Sequence, residues 1–172
     1  MRIAIGLEYD GTDFVGGQAQ RDSRSVQERL SQAIAAVADH PVTVSGSGRT
    51  DAGVHAAQQI AHFDTEADRK LRQWLLGINS NLPADIAVQW VRKVDTDFDA
   101  RRSALWRRYR YLITQRSVRS ALLRRRTWWL RDPLDCAAMT AAAGAWLGEN
   151  DFSAFRAAGC QSSTSMRRLI SV

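Results

Sequence analysis

Ile3, Ile5, Leu7 and Tyr9 alternate with Ala4, Gly6 and Glu8, the period-two pattern of a strand with one buried face. A polar, glycine-containing stretch follows from Asp10 to Arg24. Behind Ser25, with Glu28 three residues on, the residues Val26, Leu30, Ala33, Ile34 and Val37 recur at helical spacing. This predicts a helix opened by a capping box, running to about Ala38 and stopped before Pro41. A strand from Val42 and another through Ile60 and Phe63 flank a glycine-rich connection. A second helix is predicted from about Glu66 to Ile78, with Leu71, Trp74, Leu75 and Ile78 on one face. After a turn at Asn79 to Pro83, the residues Ile86, Val88, Trp90, Val91 and Val94 predict a strand with a shift of face. The order β-α-β-β-α-β over residues 1–97 is that of a ferredoxin-like unit.

A further strand is expected from about Leu105 through Tyr109, Tyr111 and Ile113. Asp132-Pro133 opens a third helix that Gly148 can end, and Met166 to Val172 reads as a strand. Residues 98–172 are therefore expected to form the start of a second α+β unit, β-α-β, whose last strand has an unpaired edge.

Composition places the chain of 172 residues, 45% hydrophobic and 24% charged, among globular proteins with one good core or two small ones. No apolar run reaches the length of a membrane span, and the start shows a strand pattern with no signal-peptide core, so a cytoplasmic protein is expected. Cys136 and Cys160 lack CxxC spacing and are read as buried thiols. The net charge of +6 is concentrated: residues 91–131 carry 13 Arg or Lys against 3 Asp. That segment interleaves Arg with Trp106, Tyr109, Tyr111, Trp128 and Trp129, which favours nucleic acid as partner over a solvated basic face.

The connection Ser45–Ala56 holds the candidate chemistry. Arg49 lies two residues before Asp51, and Gly48 and Gly53 bracket them where the backbone can take positive φ or approach a ligand closely. An ordinary Asp-Gly turn accounts for the spacing equally well. The run Gly48-Arg49-Thr50-Asp51-Ala52-Gly53-Val54-His55 resembles the signature of the tRNA pseudouridine synthase A family. The resemblance extends through Tyr9-Asp10-Gly11-Thr12 with Phe14 and Gly16, Asn79 to Ile86, Phe98 to Ala104, Arg107 to Tyr111 and Asp151 to Phe155. It implies a pseudouridine synthase fold of the α+β class and a cofactor-free, metal-free isomerase acting on uridines on the 3′ side of the tRNA anticodon stem-loop. It further implies a homodimer in which tRNA meets both subunits.

By that resemblance Asp51 is the catalytic carboxylate, as nucleophile or as base toward the ribose, and Arg49 keeps it ionised and takes the place of the flipped base or holds a phosphate. Tyr109 would stack on uracil; against this, Tyr109 and Tyr111 share one face of an expected strand, where aromatics usually pack inward. Gly48, Thr50, His55, Gln18, Arg101, Arg108, Arg110, Arg124, Arg125 and Arg126 are the expected substrate contacts. In the family the chain continues into an apolar Gly-Phe-Leu motif that lines the site, so this sequence reads as an N-terminal portion. Gly17, Asp99 and Asn150 depart from the family pattern, and Asp99 would repel phosphate.

Two other readings compete. Glu8-Tyr9-Asp10-Gly11-Thr12 resembles the phosphatase loop Asp-x-Asp-Gly-Thr but has Glu8 at the nucleophile position. A ferredoxin-like RNA-recognition module shares the β-α-β-β-α-β order, yet needs paired aromatics on central strands that neither shows. His55 and His62 lack a third ligand at metal-binding spacing and read as structural residues in a strand.

Overall fold

The computed structural model describes residues 1–17, 24–156 and 162–172. Two compact units divide the chain, Met1–Leu112 with Leu123–Thr127, and Ile113–Leu122 with Trp128–Val172.

In the first unit, β1 (Arg2–Tyr9), α1 (Val26–Ala38), β2 (Val44–Gly46), β3 (Ala56–Asp64), α2 (Leu71–Asn81) and β4 (Ile86–Val94) follow in order. The sheet runs β2-β3-β1-β4, antiparallel throughout, the strand order of a split βαβ fold. β1 lies between β3 and β4 because its alternating apolar residues bury most completely there: Ile3, Ile5, Leu7 and Tyr9 pack with Leu30 and Ile34 of α1 and Trp74 and Ile78 of α2 in one core. Trp74 meets Phe63 edge-on, with ring centroids 5.4 Å apart.

The helix ends follow local chemistry. Ser25 Oγ accepts from the Glu28 amide and starts α1, while the Glu28 carboxylate turns to Gln32 and leaves the reciprocal half of the box unmade. α2 begins at Leu71, five residues later than the periodicity suggests. Thr65 is buried and its hydroxyl accepts from the Ala67 amide, which holds the chain in a turn there. The helix starts where the Lys70 amide donates to Gln73 Oε1.

The sheet face away from the helices is covered in part by the segment after β4. The Trp90 ring lies against Gly6, where a Cβ would come within 2.2 Å of the indole. The buried Ala100 donates its amide to His62 Nδ1 at 3.1 Å, and Phe98 meets His62 edge-on. Burial, followed by the nearby Arg2 charge, holds His62 below its ordinary pKa, so its neutral ring accepts that bond. His62 is the satisfied structural residue that its place in a strand suggests.

The second unit comprises β5 (Ile113–Gln115) paired in parallel with β6 (Trp128–Leu130), α3 (Cys136–Gly144), and the antiparallel pair β7 (Gly148–Asp151) and β8 (Met166–Leu169). Several expectations are corrected here. No strand forms from Leu105 to Leu112: that stretch lacks a ladder partner, and Tyr109 and Tyr111 are 84% and 78% exposed instead of packed inward. The third helix starts after Asp135, whose carboxylate accepts from the Ala138 amide, not at Pro133, and Gly148 opens β7 at φ 87° instead of closing the helix. The unit is thus β-β-α-β-β among the described residues, not β-α-β. Cys136 is exposed, contrary to its reading as a buried thiol; Cys160 lies outside the described residues.

Candidate active site

The Asp51 loop joins β2 to β3 and is held from both ends and from below. At its start the Ser47 amide donates to the Ile60 carbonyl at 2.8 Å, and Arg107 donates from one guanidinium nitrogen to the carbonyls of Ser47 and Arg101. At its crest the Val54 amide donates to the Asp51 carbonyl at 3.2 Å, with Gly53 at φ 78°, the third position of a turn that needs positive φ. A turn closed by the Asp51 backbone carbonyl is therefore present, and it carries the carboxylate.

The peptide on the other side of Asp51 is fixed too, since the Thr50 carbonyl accepts from the Gly17 amide at 2.9 Å. Because each peptide is planar, bonding the carbonyls of Thr50 and Asp51 sets both planes that flank the Asp51 Cα, and hence the direction of its side chain. The neighbouring loop must come very close for this. A Cβ on Gly11 would lie 1.9 Å from the Val54 carbonyl oxygen, and one on Gly17 would lie 2.6 Å from Thr50 Oγ1.

Beneath the loop, the Tyr9 hydroxyl donates to Gln59 Oε1 at 2.7 Å and lies 2.8 Å from Thr50 Oγ1, while Gln59 Nε2 donates to the Gly48 carbonyl at 2.7 Å. A β-bulge in the β1–β3 register between Leu7 and Tyr9 brings these groups together. Burial raises the Tyr9 pKa, so the phenol stays protonated.

Asp51, Arg49 and Gly48 are exposed, and no ion pair joins Arg49 to Asp51 among the described residues. Two opposite charges on one tight loop can pair, but these two do not, and Arg49 is left facing solvent. His55 is half-buried, with Nδ1 accepting from the Gly11 amide at 3.1 Å, 3.0 Å from Asp10 Oδ1, and Nε2 donating to the Arg125 carbonyl at 2.8 Å. Its ring atoms are therefore engaged within the protein.

The arginines separate into two groups. Arg126 pairs with Asp10 at 2.6 Å and Arg125, at φ 65°, pairs with Asp13 at 3.2 Å, so two members of the 124–126 cluster meet carboxylates of the loop after β1. Arg101, Arg108, Arg110 and Arg124 are exposed, with Arg108 stacked over Trp106. Asp99 turns its carboxylate to the Arg101 and Arg102 amides, which hold it below the ordinary carboxylate range. Gln18 lies outside the described residues. In the sequence Tyr9, Gly11, Gly17 and Arg107 figure only as members of motifs or departures from them, and none of these, nor Gln59, is assigned a part in holding the loop. The signal for Tyr9 was its place in the buried register of β1, since a buried phenol needs a partner for its hydroxyl.

Among the described residues no group of three or more His, Cys, Asp or Glu is placed to hold a metal ion, and no helix is long and apolar enough to cross a membrane. A family model described as tRNA pseudouridine synthase matches residues 6–101. Proteins named tRNA pseudouridine synthase A from Klebsiella pneumoniae subsp. pneumoniae, Escherichia coli (strain SMS-3-5 / SECEC) and Shigella boydii serotype 18 are each 50% identical to this chain over 171 residues. Those matches cover 99% of the chain, which spans 63% of the length of these curated relatives. The matched region runs from β1 through the clamped Asp51 loop to the cover over the helix-free sheet face, and the chain belongs to the tRNA pseudouridine synthase A family.

Proposed function

We propose that this protein isomerises uridine to pseudouridine in the anticodon stem-loop of tRNA, with Asp51 as the catalytic carboxylate. The observation that carries this is the contrast within the loop: both peptides flanking Asp51 are hydrogen-bonded inside the protein, while its carboxylate is exposed. A group preorganised in this way can act on a nucleotide drawn out of its stack.

In the reaction the N1–C1′ bond of the nucleotide breaks, the uracil turns, C5 bonds to C1′, and the C5 proton leaves while N1 takes up a proton, so that product and substrate are isomers. Asp51 serves this as nucleophile or as base toward the sugar. Arg49, free of Asp51, fills the space of the extracted base or holds a phosphate. The exposed Tyr109 ring offers a stacking surface for uracil, and Arg101, Arg108, Arg110 and Arg124 offer phosphate contacts. No cofactor is required. The working form is a cytoplasmic homodimer in which one tRNA meets both subunits.

A non-catalytic RNA-recognition module is disfavoured by the helix-free face of the sheet. β1 and β3 present Ala4, Gly6, Ile60 and His62 there, with no aromatic pair, and Phe98 and Ala100 already lie over it.

The test is release of tritium from uridine-C5-labelled tRNA by the protein and its Asp51→Asn variant, which keeps the shape and removes the charge. Turnover should fall at least about a thousandfold while tRNA affinity stays within about twofold. Retained turnover would remove Asp51 from the chemistry.

A further inference from the structure

Three polar atoms of the loop that precede Asp51 are spent inside the protein. Thr50 Oγ1 meets the Tyr9 hydroxyl, the Thr50 carbonyl accepts from Gly17, and the Gly48 carbonyl accepts from Gln59. Gln59 Nε2 faces a carbonyl, so Oε1 is the atom that faces Tyr9, and Tyr9 spends its one proton there. The Thr50 hydroxyl must then donate to the Tyr9 oxygen. The result is a directed chain, Thr50 to Tyr9 to Gln59 to the Gly48 carbonyl, that ties the residues on both sides of Arg49 to the strands below. Tyr9 is 4% exposed, so it cannot touch a nucleotide; whatever it does for the reaction it does through the loop.

We propose that Tyr9 and Gln59 are positioning residues for the Asp51 carboxylate, and that Thr50 and Gly48 belong to this brace and are not substrate contacts. The inference rests on Asp51 being the catalytic group. A loop held at Thr50 and Gly48 presents Asp51 in one orientation, and displacement of a reacting group by about 1 Å costs on the order of a hundredfold in rate. Removing one link of the brace loosens that orientation without touching the surface that RNA meets.

The experiment compares Tyr9→Phe, Thr50→Val and the double variant, each of which keeps the shape of the side chain and deletes a hydroxyl. Two readouts are taken: tritium-release kinetics with tRNA, and amide hydrogen exchange of residues 48–54 in the free protein. The expected result is a fall of about tenfold in kcat for each single variant with KM within about twofold, and no further fall in the double variant, because both deletions break the same chain. Exchange at residues 48–54 should quicken in all three, while the β1–β3 amides stay protected. A Thr50→Val variant that raises KM, or effects that multiply in the double variant, would make Thr50 a substrate contact and overturn the brace. Unchanged exchange in the loop would overturn it whatever the kinetics. If the unaltered protein releases no tritium, the proposed function fails, and the exchange experiment still decides the brace.

Discussion

α1 and α3 begin in the same way and end up in different surroundings. Each has a side chain that caps the third helical amide, Ser25 to Glu28 in α1 and Asp135 to Ala138 in α3. α1 buries Val26, Leu30, Ala33, Ile34 and Ala38, whereas α3 buries none of its nine residues. Capping and helix propensity are shared; a stripe is not. Leu30 and Ile34 stand one turn apart and present an apolar ridge to β1, while Cys-Ala-Ala-Met-Thr-Ala-Ala-Ala-Gly offers a single long side chain, Met139, among small ones. Local chemistry suffices to start a helix, and long side chains at helical spacing are what commit it to a core.

Truncating one large side chain in each unit should give the widest divergence between them. Trp74 is fully buried and packs edge-on against Phe63, so Trp74→Ala should cost about 3–5 kcal/mol in denaturant unfolding. Met139 on α3 is 47% exposed, and Met139→Ala should stay within about 0.5 kcal/mol. Trp74→Phe sharpens the point, because the buried indole nitrogen has no acceptor among the described residues. Replacing it by a ring with no polar atom should lose clearly less than the alanine change. Equal losses at Trp74 and Met139 would show that burial in the first unit is not what holds it.

That difference also explains what could be read from the residues alone. The β-α-β-β-α-β order was legible because each element of the first unit shows its buried face within its own span, and the turn at Asp51 to Val54 was legible because Asp-Ala-Gly is local turn chemistry. The strand expected at Leu105 was not formed: alternation of Tyr and Arg describes a strand's faces but says nothing about whether a partner backbone is present. The brace beneath Asp51 was hidden for another reason, since Tyr9 meets Thr50 and Gln59 across separations of 41 and 50 residues. The arginine cluster misled in a third way, because a basic run does not reveal that Asp10 and Asp13 stand opposite two of its members.

A middle-sized effect is expected at Asp10. Its carboxyl is held below the ordinary range first by the Thr12 hydroxyl and amide, then by the Arg126 charge. A carboxylate with a lowered folded pKa contributes stability that is fully present above its unfolded value, about 3.9, and is lost as pH falls through the lowered value. Asp10→Asn should therefore cost under about 1 kcal/mol at pH 7, since the group is largely solvent-screened, and the gap between the two proteins should close below about pH 4. A gap that instead widens in acid would mean that the groups around Asp10 stabilise its protonated form. Thermal unfolding from pH 3 to 7 decides this.

The smallest effect on the fold, and the one that separates paired from unpaired charge most finely, is expected at Arg124. It is exposed, with no ion pair among the described residues, while Arg125 and Arg126 meet carboxylates. An arginine that neutralises a phosphate releases about one condensed counterion, so its removal weakens binding to many RNAs alike and lowers the salt slope by about 1. Arg124→Ala should show that loss in tRNA titrations across a range of salt concentrations, with no measurable change in unfolding. Arg126→Ala should weaken binding with a smaller change of slope. Its charge is already balanced by Asp10 in the free protein, so its removal also leaves that carboxylate bare toward the RNA. If Arg124→Ala leaves both affinity and slope unchanged, Arg124 is a solvated charge and the RNA path lies along Arg101, Arg108 and Arg110. Equal slopes for the two variants would instead mean that the Asp10 pair opens when RNA arrives, so that paired and unpaired arginines serve alike.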